Sequence, residues 1–195
     1  MCPLSEVRIA GGQIAAPAQP GAAYEAGGIC IMAEAPRDED VAPGAGYPMG
    51  SHTRTGKMLD LLLERAGLHR SALLTMLRVR CAPPRGRIKD HEDAIANCDT
   101  WTQQEFASYA PGLVVLMGAL AMAPIYGKEA GVGRTRGVLA SKGDKHPWGA
   151  RQYIATYHPA AAILADGKAE SEVAQMIVKD LRTARSLWLH GVTPF

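Results

Sequence analysis

Three short stretches hold most of the side chains able to do chemistry. Glu34 is followed closely by the acidic cluster Asp38-Glu39-Asp40. Around Cys81 runs a basic stretch that carries Arg78, Arg80, Arg85, Arg87 and Lys89, and His158 leads through Pro159 into small and apolar residues that reach Leu164. A carboxylate and an imidazole converging in one cleft can orient a water and hydrogen-bond a departing anion. Guanidinium groups beside them could grip a phosphate, or could simply stand solvated.

The elements around these stretches follow from apolar patterning. Ile29 to Ala33 is a continuous apolar run, the mark of a strand buried on both faces, and it empties into Glu34-Ala35-Pro36. Leu73 to Val79 predicts a second strand ahead of the Cys81–Arg87 loop, and Leu113 to Met117 a third, with Gly118 opening a helix. Tyr153 to Tyr157 predicts a fourth strand, running into His158. Between them, helices are expected over Lys57–Ala66, ended by Gly67, over His91–Tyr109, and from Lys168 to about Leu189. The chain up to about Gly28, rich in Ala, Gly and Pro, reads as an irregular arm. Strands alternating with helices imply an α/β fold whose mostly parallel sheet is covered on both faces. Such sheets bind ligands at the carboxyl ends of their strands, and all three chemical stretches fall there.

Composition narrows the classes. At 195 residues, 47% hydrophobic and 21% charged, the chain suits a single domain, 1–195, with a full core. A net charge of +2 is too mild to indicate nucleic acid by itself. Four cysteines do not make a secreted disulfide scaffold at this length. No apolar run reaches the roughly 18 residues of a membrane span, and no secretory leader is apparent. The expectation is a soluble, cytoplasmic monomer without a membrane partner.

The order of the motifs resembles a known family. Ile31-Met32-Ala33-Glu34-Ala35-Pro36, with the acidic cluster behind it, is similar to the Gly-Glu-Ala-Pro-Gly motif of the family 4 uracil-DNA glycosylases. Val79 to Arg87 looks like that family's Lys-Cys-Arg-Pro-Pro-x-Asn-Arg stretch, Cys98 follows at close to the family spacing, and Leu113 to Ala119 resembles its strand-Gly-Ala element. Thr156-Tyr157-His158-Pro159-Ala160 is similar to its closing His-Pro-Ser motif. The resemblance runs nearly the length of the chain.

It implies a three-layer α/β/α sandwich with a small, mostly parallel central sheet, and DNA as partner. It also implies a reaction in which a pyrimidine is flipped out of the stack and its N-glycosidic bond is cleaved. The sugar gains oxocarbenium character, as in glycoside hydrolysis generally. Glu34, helped by Asp38, would orient water or stabilise that cation, and His158 would hydrogen-bond the departing base. Ala35, Pro36, Tyr47, Met49 and Met76 would line the base pocket, with Arg85 and Arg87 on the DNA backbone. Ile163 and Leu164 would either wedge into the duplex or form the first turn of a buried helix. Cys2, Cys81 and Cys98 match three ligands of a 4Fe-4S cluster, or are reduced, partly buried thiols. The family's first N-terminal ligand would precede Met1, and Cys30 lies in a strand.

Four positions depart from the family pattern. Met76 stands where the family has a base-reading Asn, and Met49 near its stacking Phe; Ala33 and Arg37 replace the two glycines of the first motif. A thioether offers no paired donor and acceptor to a uracil edge. Weak uracil excision is therefore expected. The alternatives are a base-tailoring transferase that leaves the glycosidic bond intact and a non-catalytic DNA-binding relative.

Overall fold

The computed structural model describes residues 2–10, 16–37, 40–41, 49–86, 88, 92–141, 148, 152–165 and 171–191. The strands are β1 (Gln19–Pro20), β2 (Ile29–Ala33), β3 (Leu73–Leu77), β4 (Leu113–Met117), β5 (Leu139–Ser141) and β6 (Gln152–Thr156). They form one sheet in the order β1-β3-β2-β4-β6-β5. The four inner strands run parallel, and the two short edge strands pair antiparallel. The helices are α1 (Pro3–Ala10), α2 (Arg54–Ala66), α3 (Glu92–Tyr109), α4 (Ala119–Tyr126), α5 (Val132–Thr135), α6 (Pro159–Ala165) and α7 (Glu172–His190).

Strand alternation sorts the core into two layers. Ile29, Ile31, Leu73, Leu77, Val115 and Ile154 face α2, α6 and α7, meeting Leu59, Leu62, Ala162, Ile177 and Leu181. Cys30, Met32, Leu74, Met76, Leu116 and Tyr153 face the opposite way, onto Phe106 of α3, Met122 of α4 and Trp148. A third, smaller cluster joins Leu4 of α1 to Val79, Cys81, Ala94 and Cys98. These layers are the expected α/β/α sandwich.

Local signals set several boundaries. Thr53 caps α2 by accepting from the Gly56 amide (2.9 Å), and Gly67 ends it in the left-handed region at φ 71°, so the helix starts ahead of the expected Lys57. The strand expected over Leu73–Val79 stops at Leu77, and the one expected over Tyr153–Tyr157 runs from Gln152 to Thr156. The opening arm contains α1 and the edge strand β1, both too short to stand out in the sequence. β5 and α5 are likewise short elements without marked patterning, whereas α6 takes the helical alternative open to Ile163 and Leu164.

One polar network is buried behind β6. Asp180 of α7 accepts from both Nε (3.0 Å) and Nη2 (2.7 Å) of Arg136 and from the Thr156 hydroxyl (2.6 Å). Arg136 also donates to the Met176 carbonyl (2.8 Å), which ties the α5–β5 connection to α7.

Candidate active site

β2, β3 and β6 deliver the three chemical stretches to one edge of the sheet. Residues 34–37 after β2, Pro83, Arg85, Gly86 and Ile88 after β3, and His158 and Ala160 after β6 surround a cleft of about 480 Å³. Glu34 and His158 both line it. Ala35, Pro36 and Arg85 line it as well, and so does Arg37, which the sequence shows only as a departure from a motif. A second cavity of about 800 Å³ shares Glu34, Gly86 and Ile88 with the cleft and runs between α3 and α4.

Glu34 is held from one side. Its Oε1 accepts the Leu120 amide at 2.9 Å, and the Ala119 amide reaches the same carboxylate, so the side chain sits on the N-terminus of α4. Burial raises its pKa above the ordinary carboxylate range, and the two amides pull it back down. Gly118, which precedes α4, adopts φ 99° and ψ 169°, a region open essentially to glycine alone.

His158 is neutral. Burial, together with the Arg37 charge, depresses its pKa to about 4. The Ala160 amide donates to Nδ1 at 3.2 Å, which places the imidazole proton on Nε2 and leaves that atom as the donor.

The remaining expected residues divide. Asp38, Tyr47 and Arg87 lie outside the described residues. Met76 is 1% exposed and packs in the layer under Phe106 and Trp148, so it does not line the cleft. Strand alternation is the cause, since its neighbours Thr75 and Leu77 face the other way. Met49 is also a core residue, packed in the α2 layer at φ 65°. On α6, Ile163 packs against that layer, whereas Leu164 is 84% exposed. The basic stretch is partly structural. Arg78, 2% exposed, pairs with Asp99 (2.7 Å) and lies over the Trp148 ring, and Arg80 pairs with Glu105 (3.0 Å) over Trp101. Arg85 stays exposed at the cleft.

Cys2, Cys81 and Cys98 meet in the third cluster, while Cys30 is buried in the α3–α4 layer. Burial raises the pKa of Cys81 and, again, of Cys98; the neighbouring thiols add to this, and Arg8 at Cys81 and Arg78 and Arg80 at Cys98 oppose it. The donor type and nearby cations therefore suit thiolate ligation of iron. Among the described residues, however, no group of three or more His, Cys, Asp or Glu side chains is gathered closely enough to hold a metal ion. The thiols share a neighbourhood without forming a finished ligand set.

Comparison with known proteins finds similar sequences. The family model of the uracil DNA glycosylase superfamily matches residues 21–182. A type-4 uracil-DNA glycosylase of Saccharolobus solfataricus is 27% identical over 155 residues, which is 75% of this chain and 67% of that protein. Among the described residues, no helix is long and apolar enough to cross a membrane.

Proposed function

The chain belongs to the uracil DNA glycosylase superfamily, and from that premise we propose that it acts on DNA, flipping a pyrimidine into the cleft and cleaving its N-glycosidic bond. The observation that carries this reading is Glu34 and His158 in one cleft, with the Ala160 amide on Nδ1 of His158 so that Nε2 carries the proton and is the donor. As the bond breaks, negative charge collects on the departing base and positive charge on the sugar. A neutral imidazole donor meets the first without losing its proton, an electrostatic stabilisation for which one donor commonly counts about 3–4 kcal/mol. The Glu34 carboxylate faces the second or orients the attacking water, and Asp38 assists it. Flipping costs a few kcal/mol, a cost that DNA contacts by Arg85, Arg87 and the exposed Leu164 would offset.

Among the described residues of the cleft, no side-chain amide is placed to read the base, so uracil is a poor substrate on this reading. The second cavity favours one alternative: a base with a bulky substituent, tailored by group transfer with the glycosidic bond intact. Mass spectrometry of oligonucleotides carrying different pyrimidines tests both. An abasic site supports excision, a heavier intact nucleotide supports transfer, and unchanged DNA overturns both in favour of binding alone.

A 4Fe-4S cluster at Cys2, Cys81 and Cys98 belongs to the same proposal. Such a group would supply a structural tie between α1, α3 and the loop after β3, and no step of the reaction passes through it. Brown protein with stoichiometric iron after anaerobic purification supports it; colourless, iron-free protein after reconstitution refutes it.

A further inference from the structure

Glu34 follows β2 and His158 follows β6, two strands that are not neighbours; β4 lies between them. The residue that leaves β4 is Gly118. Its amide donates to the Thr156 carbonyl at 3.0 Å, two residues before His158. Its other side faces Glu34: a Cβ built on Gly118 would stand 2.6 Å from Glu34 Oε1 and 2.8 Å from Glu34 Cδ, both too close for any real pair. Directly after it, the Ala119 and Leu120 amides hold the same carboxylate.

We propose that Gly118 is a positioning residue for the reaction, setting the Glu34 carboxylate against the N-terminus of α4 and in register with His158. The bare α-carbon leaves room for the carboxylate to reach the helix amides. Oε1 is thereby fixed on the Leu120 amide, and the carboxylate is held in the cleft for water or the developing sugar cation. The same residue's amide carries the register across to β6. This rests on the proposed role of Glu34, and its test is chosen to separate the two.

Backbone strain must first be set apart from the clash. Gly127 provides the control, with φ 94° and ψ 150° close to those of Gly118 and nothing within 4 Å of an added Cβ. Gly118→Ala and Gly127→Ala thus pay a similar conformational cost, and only the first meets Glu34.

The first readout is the amide spectrum of isotope-labelled protein through a pH titration. In the wild type the Leu120 amide should follow the titration of Glu34, a dependence absent in Glu34→Gln. Gly118→Ala should abolish it, Gly127→Ala should keep it, and Gly118→Ala with Glu34→Asp, whose shorter side chain yields space, should restore it. A Leu120 amide that titrates in Gly118→Ala as in the wild type overturns the proposal. If Gly118→Ala does not fold while Gly127→Ala does, refolding of the Glu34→Asp double variant supports the proposal and continued failure overturns it. The second readout is base release from the DNA substrate, where Gly118→Ala should lose at least tenfold in kcat with KM nearly unchanged, and the double variant should recover part of it. A wild-type protein that releases no base, with the spectral pattern intact, refutes the proposed reaction and leaves the positioning in place.

Discussion

Acidification offers a direct measure of the environment of His158. Its pKa in the folded chain is about 4, against about 6.5 for an unperturbed imidazole. As the pH falls through that interval the unfolded chain takes up the proton and the folded chain does not, so stability is lost on the way down. For one such group the loss between pH 8 and pH 4.5 comes to about 2.5 kcal/mol. With a urea slope of about 2–3 kcal/mol/M, the unfolding midpoint should drop by about 1 M. Buried carboxyls work in the other direction. Glu34, Glu105 and Asp180 all have raised pKa values, so the folded chain binds their protons first and gains on acidification. A single profile therefore mixes opposing contributions, and the informative quantity is the difference between wild type and His158→Gln, which has no imidazole to charge. The variant should lose about 2.5 kcal/mol less than the wild type over the same interval. Parallel profiles would refute the desolvated, neutral imidazole, and with it the donor role assigned to Nε2–H.

Three further outcomes are expected. Asp180→Ala should cost about 3–5 kcal/mol in urea unfolding, because it strands the Arg136 guanidinium and the Thr156 hydroxyl behind β6. Met76→Asn should destabilise the chain by about 1–3 kcal/mol, since it buries an amide in the Phe106–Trp148 layer; it should bring no gain in uracil release, and a gain measured on uracil-containing oligonucleotides would show that this side chain reaches the base after all. Arg85→Ala should weaken binding to all DNA sequences alike and reduce the slope of log affinity against log salt by about one; an unchanged slope would mean a solvated guanidinium.

What could be seen in advance depended on whether a residue's role was local. Ile29–Ala33 and Leu113–Met117 are short apolar runs that suit a doubly covered strand, and both strands span those residues. The position of Glu34 at a strand end followed from the first of these runs, and that of His158 from the run Tyr153–Tyr157. Side-chain direction was harder to read. A run apolar on both faces carries no alternation, so nothing in Leu73-Leu74-Thr75-Met76-Leu77 indicated which face Met76 takes. The partners of Arg78 and Arg80, Asp99 and Glu105, lie on α3 and are distant in sequence, so a basic stretch could not be told from a packed one. The α4 amides on Glu34 were hidden for the same reason, being 86 residues away along the chain.

The strand order also bears on how the protein is made. β2 and β3 pair first in chain order, β4 then adds to the free edge of β2, and β6 to the free edge of β4. Each parallel strand joins an existing margin, so the sheet can grow outward during synthesis with no strand having to insert between two others. The cleft does not grow that way. Its carboxylate arrives with β2, the residue that braces it with β4, and its imidazole only after β6 has docked. A half-made chain on the ribosome thus holds Glu34 without His158, and the two share a cleft only once the last of these parallel strands is in place.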